Sequence, residues 1–69
     1  MRISARNQLK GTVTEVTKGA TTSHVRVDIG GGKIVTASIT NEAVDEMKLK
    51  AGDTAYAIVK ASDVMVGID

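Results

Sequence analysis

The chain is 69 residues long, contains no Cys and one His, and carries nine basic and eight acidic residues, for a net charge of +1. This length allows one domain, residues 1–69, with a thin core, because a domain of this size buries only about 60% of its unfolded surface. The composition argues against a disulfide framework, a structural metal, a polyanion-binding surface and a membrane span, so we expect a soluble intracellular protein that gains stability by self-association.

Three β-strands are predicted in the first part of the chain. Apolar residues alternate from Ile3 to Val16, with a slip before Val16 that indicates a β-bulge. The turn-forming segment 17–22 follows, and the apolar residues of segment 24–29 then alternate cleanly with polar ones, as in a second strand with one solvated face. The glycines at 30–32 predict a tight hairpin into a third strand, which would pair antiparallel with the second.

One helix and a final strand are predicted in the second part. Thr40 and Asn41 precede residues 42–49, in which apolar spacing, early acidic residues and late lysines all favour a short helix. A long last strand is expected from Thr54 to Ile68, interrupted at residues 60–63. The order β-β-β-α-β, with no large aromatic core, predicts an all-β fold with one short helix, a small bent barrel of the OB type.

The remaining residues show no pattern that indicates catalysis or metal binding. The only histidine, His24, lies on the solvated face of its strand, where a lone histidine is most often just a solvated residue, and the acidic residues at 42–46 are explained by the dipole of the helix. The glycines at 30–32 lack the context of a phosphate-binding loop. An OB-like barrel raises the alternative of a module that binds single-stranded nucleic acid or protein. Nucleic-acid sites of this kind stack bases on aromatic rings within a positively charged groove, and a chain with one tyrosine and a net charge of +1 offers neither feature.

The polar residues left over on otherwise apolar elements are rich in hydrogen-bond donors. They are Ser4, Arg6, Asn7, Gln8, Thr40, Lys60 and Ser62. Such donors, with two fixed positive charges, suit a small tetrahedral oxyanion. The residues alone leave a second interpretation equally open, in which Arg6 and Lys60 pair with carboxylates such as Asp63 across a subunit contact.

Two stretches, ISARNQLKG at residues 3–11 and VKASDVM at 59–65, with the hydroxyl-rich segment 38–40 between them, resemble the molbindin (Mop) family of molybdate-binding domains over the whole chain. The resemblance implies a cytoplasmic homohexamer, a trimer of dimers, that stores molybdate or tungstate between subunits without transforming it. It implies no cofactor, no enzymatic activity, and no membrane or nucleic-acid partner.

The resemblance also implies which residues bind the oxyanion. The main site would comprise Ser4, the Ala5 amide and Arg6 from one subunit, with Thr40, Lys60 and Ala61 as the other contributors. Ser62 would be a substitute donor, because Ala61 replaces a serine found in other members. A second site would use the turn Lys18, Gly19, Ala20, Thr21 and Thr22.

Overall fold

Four antiparallel strands and one short helix make up the chain, and the structure, a computed structural model, describes all 69 residues. The elements are β1 (Asn7–Lys18), β2 (Thr22–Gly30), β3 (Lys33–Thr40), α1 (Asn41–Met47) and β4 (Thr54–Val59), followed by a 3-10 turn at Ala61–Asp63. The predicted order of elements is confirmed. No helix is long and apolar enough to cross a membrane.

The long strand β1 organises the sheet, because its two halves pair with different neighbours. Residues 7–12 pair with β4 and residues 12–18 pair with β2, so the strands lie in the order β3-β2-β1-β4. The register with β2 shifts at Thr14, where one extra residue forms a β-bulge. Val13 is fully buried and Val16, three positions on, also packs against the core. The bulge therefore explains the slip in the apolar alternation and confirms that prediction.

The hairpin between β2 and β3 forms as predicted. Gly30, Gly31 and Gly32 adopt φ angles of 96°, 62° and 75°, a left-handed run that is unfavourable for residues with a Cβ. The strands then pair from Gly30 and Lys33 through to Thr22 and Thr40. This pairing brings the end of β3 beside the beginning of β2.

The core of the chain is small. Only six of the 69 residues are buried, and the apolar centre consists of Val13, Val25 and Val27 from the sheet and Val44 from α1. The helix begins after Thr40, whose Oγ1 accepts a hydrogen bond from the Ala43 amide at 3.1 Å. A valine core of this size confirms that one copy buries little apolar surface.

The helix ends at Met47, two residues before the predicted end. Lys48 takes a left-handed backbone conformation (φ 52°), and the Leu49 amide bonds back to the Val44 carbonyl at 3.1 Å. In the turn towards β4, the Asp53 carboxylate accepts hydrogen bonds from the Lys50 ammonium (2.9 Å) and the Lys50 amide (3.0 Å). These bonds hold the pKa of Asp53 below its ordinary value and fix the turn before β4.

Two predicted strand limits were wrong, and the barrel is open. The first strand begins at Asn7 rather than Ile3, and the last ends at Val59 rather than continuing to Ile68. Residues 64–69 belong to no strand or helix. With β3 and β4 as its free edges, the curled sheet is a half-barrel rather than a closed OB barrel within one chain.

Candidate functional site

The strand register divides the predicted site residues into two clusters at opposite ends of β1. Asn7 pairs with Val59, so the residues just before β1 and just after β4 lie side by side. We call these the first cluster: Ser4, Ala5, Arg6, Lys60, Ala61 and Ser62. The second cluster lies where β1 ends and β2 begins, and Thr22 pairs there with Thr40. It comprises Lys18, Gly19, Ala20, Thr21, Thr22 and Thr40.

The backbone before β1 has its carbonyl groups bonded and its amides free. Arg6 Nε donates to the Ser4 carbonyl at 2.9 Å and Arg6 Nη2 to the Ile3 carbonyl at 3.4 Å, while Gln8 Nε2 donates to the Ala5 carbonyl at 3.2 Å. The amides of residues 4–6 donate no hydrogen bond within the chain. These side-chain bonds occupy carbonyls that strand pairing would otherwise use, and they leave the amides of residues 4–6 without a partner in the chain.

The backbone after β4 offers similar free donors. Asn7 Nδ2 donates to the Val59 carbonyl at 3.0 Å and ties the two segments of the first cluster together. The 3-10 turn uses the Lys60 carbonyl, which accepts from the Asp63 amide at 2.8 Å. The amides of Ala61 and Ser62 have no partner in the chain. The Ala61 amide can therefore still act as a donor although its side chain has no hydroxyl.

The two positive charges of the first cluster have no carboxylate partner within the chain. The only ion pairs are Lys18–Asp45 and Lys50–Asp53, and Asp63 makes none. Arg6 and Lys60 are both exposed. The first cluster therefore combines two unpaired cations with at least five unpaired amides, a donor-rich surface suited to an anion.

The second cluster is organised by Asn41, whose part in it the sequence did not reveal. The Asn41 amide donates to the Thr21 carbonyl at 3.0 Å, and Asn41 Nδ2 donates to the Gly19 carbonyl at 3.1 Å. The buried Ser23 hydroxyl donates to Asn41 Oδ1 at 2.5 Å. The alternation of Ser23 with Val25 and Val27 was a signal that this serine points inward.

Charge in the second cluster is already balanced within the chain. The Lys18 ammonium pairs with the Asp45 carboxylate of α1, although both side chains remain about half exposed or more. The amides of Ala20 and Thr21 are hydrogen-bond donors without a partner in the chain. Thr40 Oγ1 accepts a bond as the helix cap and keeps its own proton available for donation.

A single chain does not bring Thr40 to Arg6. The two residues flank opposite ends of β1, a 12-residue strand in a molecule whose longest dimension is 34 Å. No hydrogen bond links the two clusters. Any site that uses both residues must therefore take them from different copies of the chain.

His24 lies on the polar outer face of β2, as predicted. It borders a shallow depression with Glu15, Thr17, Arg26 and Thr36. No group of three His, Cys, Asp or Glu side chains could hold a metal ion.

Comparisons with known proteins found one family and several similar proteins that match nearly the whole length of the chain. Residues 3–66 match the TOBE domain family. The chain is 48% identical, with full coverage of both sequences, to a Haemophilus influenzae protein named "Probable molybdenum-pterin-binding protein". The structure of MopII from Clostridium pasteurianum is similar, with a TM-score of 0.91 and 43% identity over 97% of this chain and 100% of MopII. The cytoplasmic molybdate-binding protein ModG, solved with molybdate bound, has a TM-score of 0.94 and 43% identity over 100% of this chain and 49% of the ModG chain.

Proposed function

This chain belongs to the TOBE domain family and to its molbindin (Mop) branch, and from that membership we propose that it binds molybdate, without transforming it, at sites shared between copies. The observation that carries the proposal is the first cluster, with its unpaired amides and the free charges of Arg6 and Lys60. The similar protein ModG contains bound molybdate in its structure, which supports the choice of ligand.

The first cluster suits a fully deprotonated dianion. Molybdate carries two negative charges and no proton at neutral pH, so each of its oxygens accepts hydrogen bonds and none donates. Amide, guanidinium and ammonium groups are all donors, and donors that are charged form the stronger bonds. A protonated anion such as hydrogen phosphate also needs an acceptor, and in the first cluster only the Ser4 and Ser62 side-chain hydroxyls can serve as one, because the proposed site holds no carboxylate. Molybdate is thereby favoured over phosphate, whereas sulfate would have to be excluded by the size of the cavity.

The shared site would combine the first cluster of one copy with Thr40 of another. Ser4, the Ala5 amide, Arg6, Lys60 and the Ala61 amide would bind the anion from one side, with the Ser62 hydroxyl replacing the one that Ala61 lacks. Thr40 would donate its hydroxyl proton from the other side. Enclosure between copies removes water, which strengthens each hydrogen bond and makes every missing donor costly.

The finer points of the proposal follow from family membership. We propose a cytoplasmic homohexamer, a trimer of dimers, that stores molybdate and also accepts tungstate. A second class of site would use the turn from Lys18 to Thr22. Since Asp45 already pairs with Lys18, the free amides of Ala20 and Thr21 would carry more of the binding at that second site.

Titration calorimetry with a panel of ligands tests the function. We expect heat of binding from molybdate and tungstate, with much weaker binding of sulfate and phosphate at equal ionic strength. A short single-stranded oligonucleotide serves as the comparison, because an OB-like interaction module would bind it through the phosphates with a strong salt dependence. If the oligonucleotide bound and neither molybdate nor tungstate gave any heat of binding, the proposal would be overturned.

A further inference from the structure

Ser23 is the only buried polar residue of the chain, and it lies beside the valines of the core. It is 1% exposed and shares the inward face of β2 with Val25 and Val27. A hydroxyl group in such surroundings is costly unless it forms a hydrogen bond. Ser23 forms one, because its Oγ donates to Asn41 Oδ1 at 2.5 Å. The bond therefore ties the core to a residue that lies beside the second cluster.

The hydrogen bonds of Asn41 fix which way its side-chain amide faces. Asn41 Nδ2 donates to the Gly19 carbonyl at 3.1 Å, and a carbonyl can only accept. Oδ1 must therefore face Ser23, whose hydroxyl is the donor. The Asn41 backbone amide also donates to the Thr21 carbonyl at 3.0 Å. Asn41 is thereby bonded at two points to the turn between β1 and β2, and through Ser23 to the core.

The bond from Asn41 to Gly19 also sets the direction of the amide on the next residue. In a planar trans peptide the C=O group and the N–H group that follows it point in opposite directions. Gly19 and Ala20 share one such peptide, so the Ala20 amide faces away from Asn41 when the Gly19 carbonyl faces towards it. The Ala20 amide has no partner in the chain. The side chain of Asn41 thus holds a free donor of the second cluster in one direction.

We propose that Asn41, held by Ser23, is a positioning residue for the second oxyanion site, where it directs the Ala20 amide towards the bound anion. This inference rests on the proposed function, of which the second site is a part. Asn41 acts through the turn, because its side-chain oxygen and nitrogen already have partners within the chain. Alignment of the amides matters at this site, since the Lys18 charge is paired with Asp45. Donors that are held in place before binding need no ordering when the anion arrives, which increases affinity.

Thr40, which precedes Asn41 and belongs to the proposed shared site, is held by other contacts. It pairs with Thr22 across the strands, and its Oγ1 accepts a hydrogen bond from the Ala43 amide at 3.1 Å. Neither contact uses the side chain of Asn41 or Ser23. We therefore expect a change at Ser23 to weaken the second site and to leave the shared site intact, whereas a general loss of stability would weaken both.

An NMR titration with molybdate, followed at individual backbone amides of the full chain, tests the proposal. Ser23→Ala removes a buried hydroxyl that cannot itself contact an anion. We expect the molybdate concentration at which the Ala20 amide shift is half complete to rise at least about fivefold. The same concentration at the Ala5 and Ala61 amides, which report on the shared site, should stay within about twofold. Ser38→Ala removes a matching hydroxyl from the exposed face of β3 and should change neither value.

A double-mutant cycle separates positioning from packing. Because Ser23 acts through Asn41, adding Ser23→Ala to Asn41→Ala should change the half-point at the Ala20 amide by no more than about twofold. Ser23→Cys keeps a similar volume and a weak donor, so its half-point should fall between those of Ser23→Ala and the parent. If Ser23→Ala did not fold, Asn41→Ala at the partly exposed start of α1 would provide the same comparison with the parent.

The outcomes at the two sites distinguish this inference from the function on which it rests. An unchanged half-point at Ala20 in Ser23→Ala would overturn the positioning role. Equal weakening at Ala20 and Ala5 would also overturn it, because that result means a general structural effect, and so would additive effects in the cycle. A parent whose Ala5 and Ala61 amides respond to molybdate while Ala20 does not would overturn the positioning role alone. If no amide of the parent responded, the proposed function itself would fail.

Discussion

Arg6→Ala should weaken molybdate binding by about 2 kcal/mol or more, at least about 30-fold in Kd. The substitution removes one of the two unpaired cations of the first cluster, and an enclosed dianion loses a charge-assisted donor that water cannot replace. It also frees the carbonyls of Ile3 and Ser4, which Arg6 binds, so the amides of residues 4–6 lose part of their alignment. Both effects reduce affinity, and titration calorimetry measures their sum.

Arg26→Ala is the matched control, because it removes the same charge from the polar outer face of β2. We expect its molybdate affinity to stay within about threefold of the parent, as for an exposed charge far from the ligand. Arg6→Lys should fall between the two, since it keeps the charge but lacks the guanidinium fork. Equal affinities for Arg6→Ala and Arg26→Ala would remove Arg6 from the site.

Gly11→Ala should lower the free energy of unfolding by about 3 kcal/mol. A Cβ built on Gly11 would lie 2.2 Å from the carbonyl oxygen of Asp28 and 2.9 Å from Val27 Cγ1. The carbonyl belongs to the backbone of β2 and cannot rotate away, so β1 and β2 must separate at the point where their pairing begins. Urea unfolding at one fixed protein concentration measures the loss, since stability depends on concentration in an assembly.

Gly67→Ala provides the comparison, because a Cβ at Gly67 meets nothing within 4 Å. We expect a change within about 0.5 kcal/mol, as for most exposed substitutions. If Gly11→Ala proved equally mild, the close approach of β1 to β2 would not be a constraint on this fold. The close approach of Gly11 to the backbone of β2 is the physical reason for a glycine at this position.

Most of the strands could be predicted because each carries its own local signal. The alternation of segment 24–29, the three glycines and the bulge before Val16 depend only on neighbouring residues, and all are found in the structure. The beginning of the first strand and the end of the last strand depend on a partner instead. Ile3 to Arg6 alternate like a strand, but the side chains of Arg6 and Gln8 bind the carbonyls that a neighbouring strand would have used.

The sequence suggested which residues to consider for the candidate site, but it did not indicate how they lie relative to one another. Alternation identified the unusual polar residues, and family resemblance suggested their ligand. Neither indicated that Thr40 and Arg6 lie at opposite ends of β1, because this follows from the register with β2 and β4. The inward-pointing Ser23 and its bond to Asn41 were also missed, since a small hydroxyl residue at a strand's beginning resembles an ordinary turn residue.

We propose that each site takes Arg6 from one copy and Thr40 from another, and complementation by mixed copies tests this division between copies. Arg6→Ala and Thr40→Asp are each expected to abolish tight molybdate binding. Aspartate still caps α1 but repels the anion. After refolding the two variants together in equal amounts, about a quarter of the sites should hold both native residues and regain tight binding by calorimetry.

The matched mixture combines Arg6→Ala with Lys60→Ala, whose positions lie in one cluster of the same copy. No site in that mixture has both native residues, so we predict no tight binding there. We expect recovery in the first mixture alone. Absence of recovery in the first mixture, or equal recovery in both, would contradict a site divided between copies in this way.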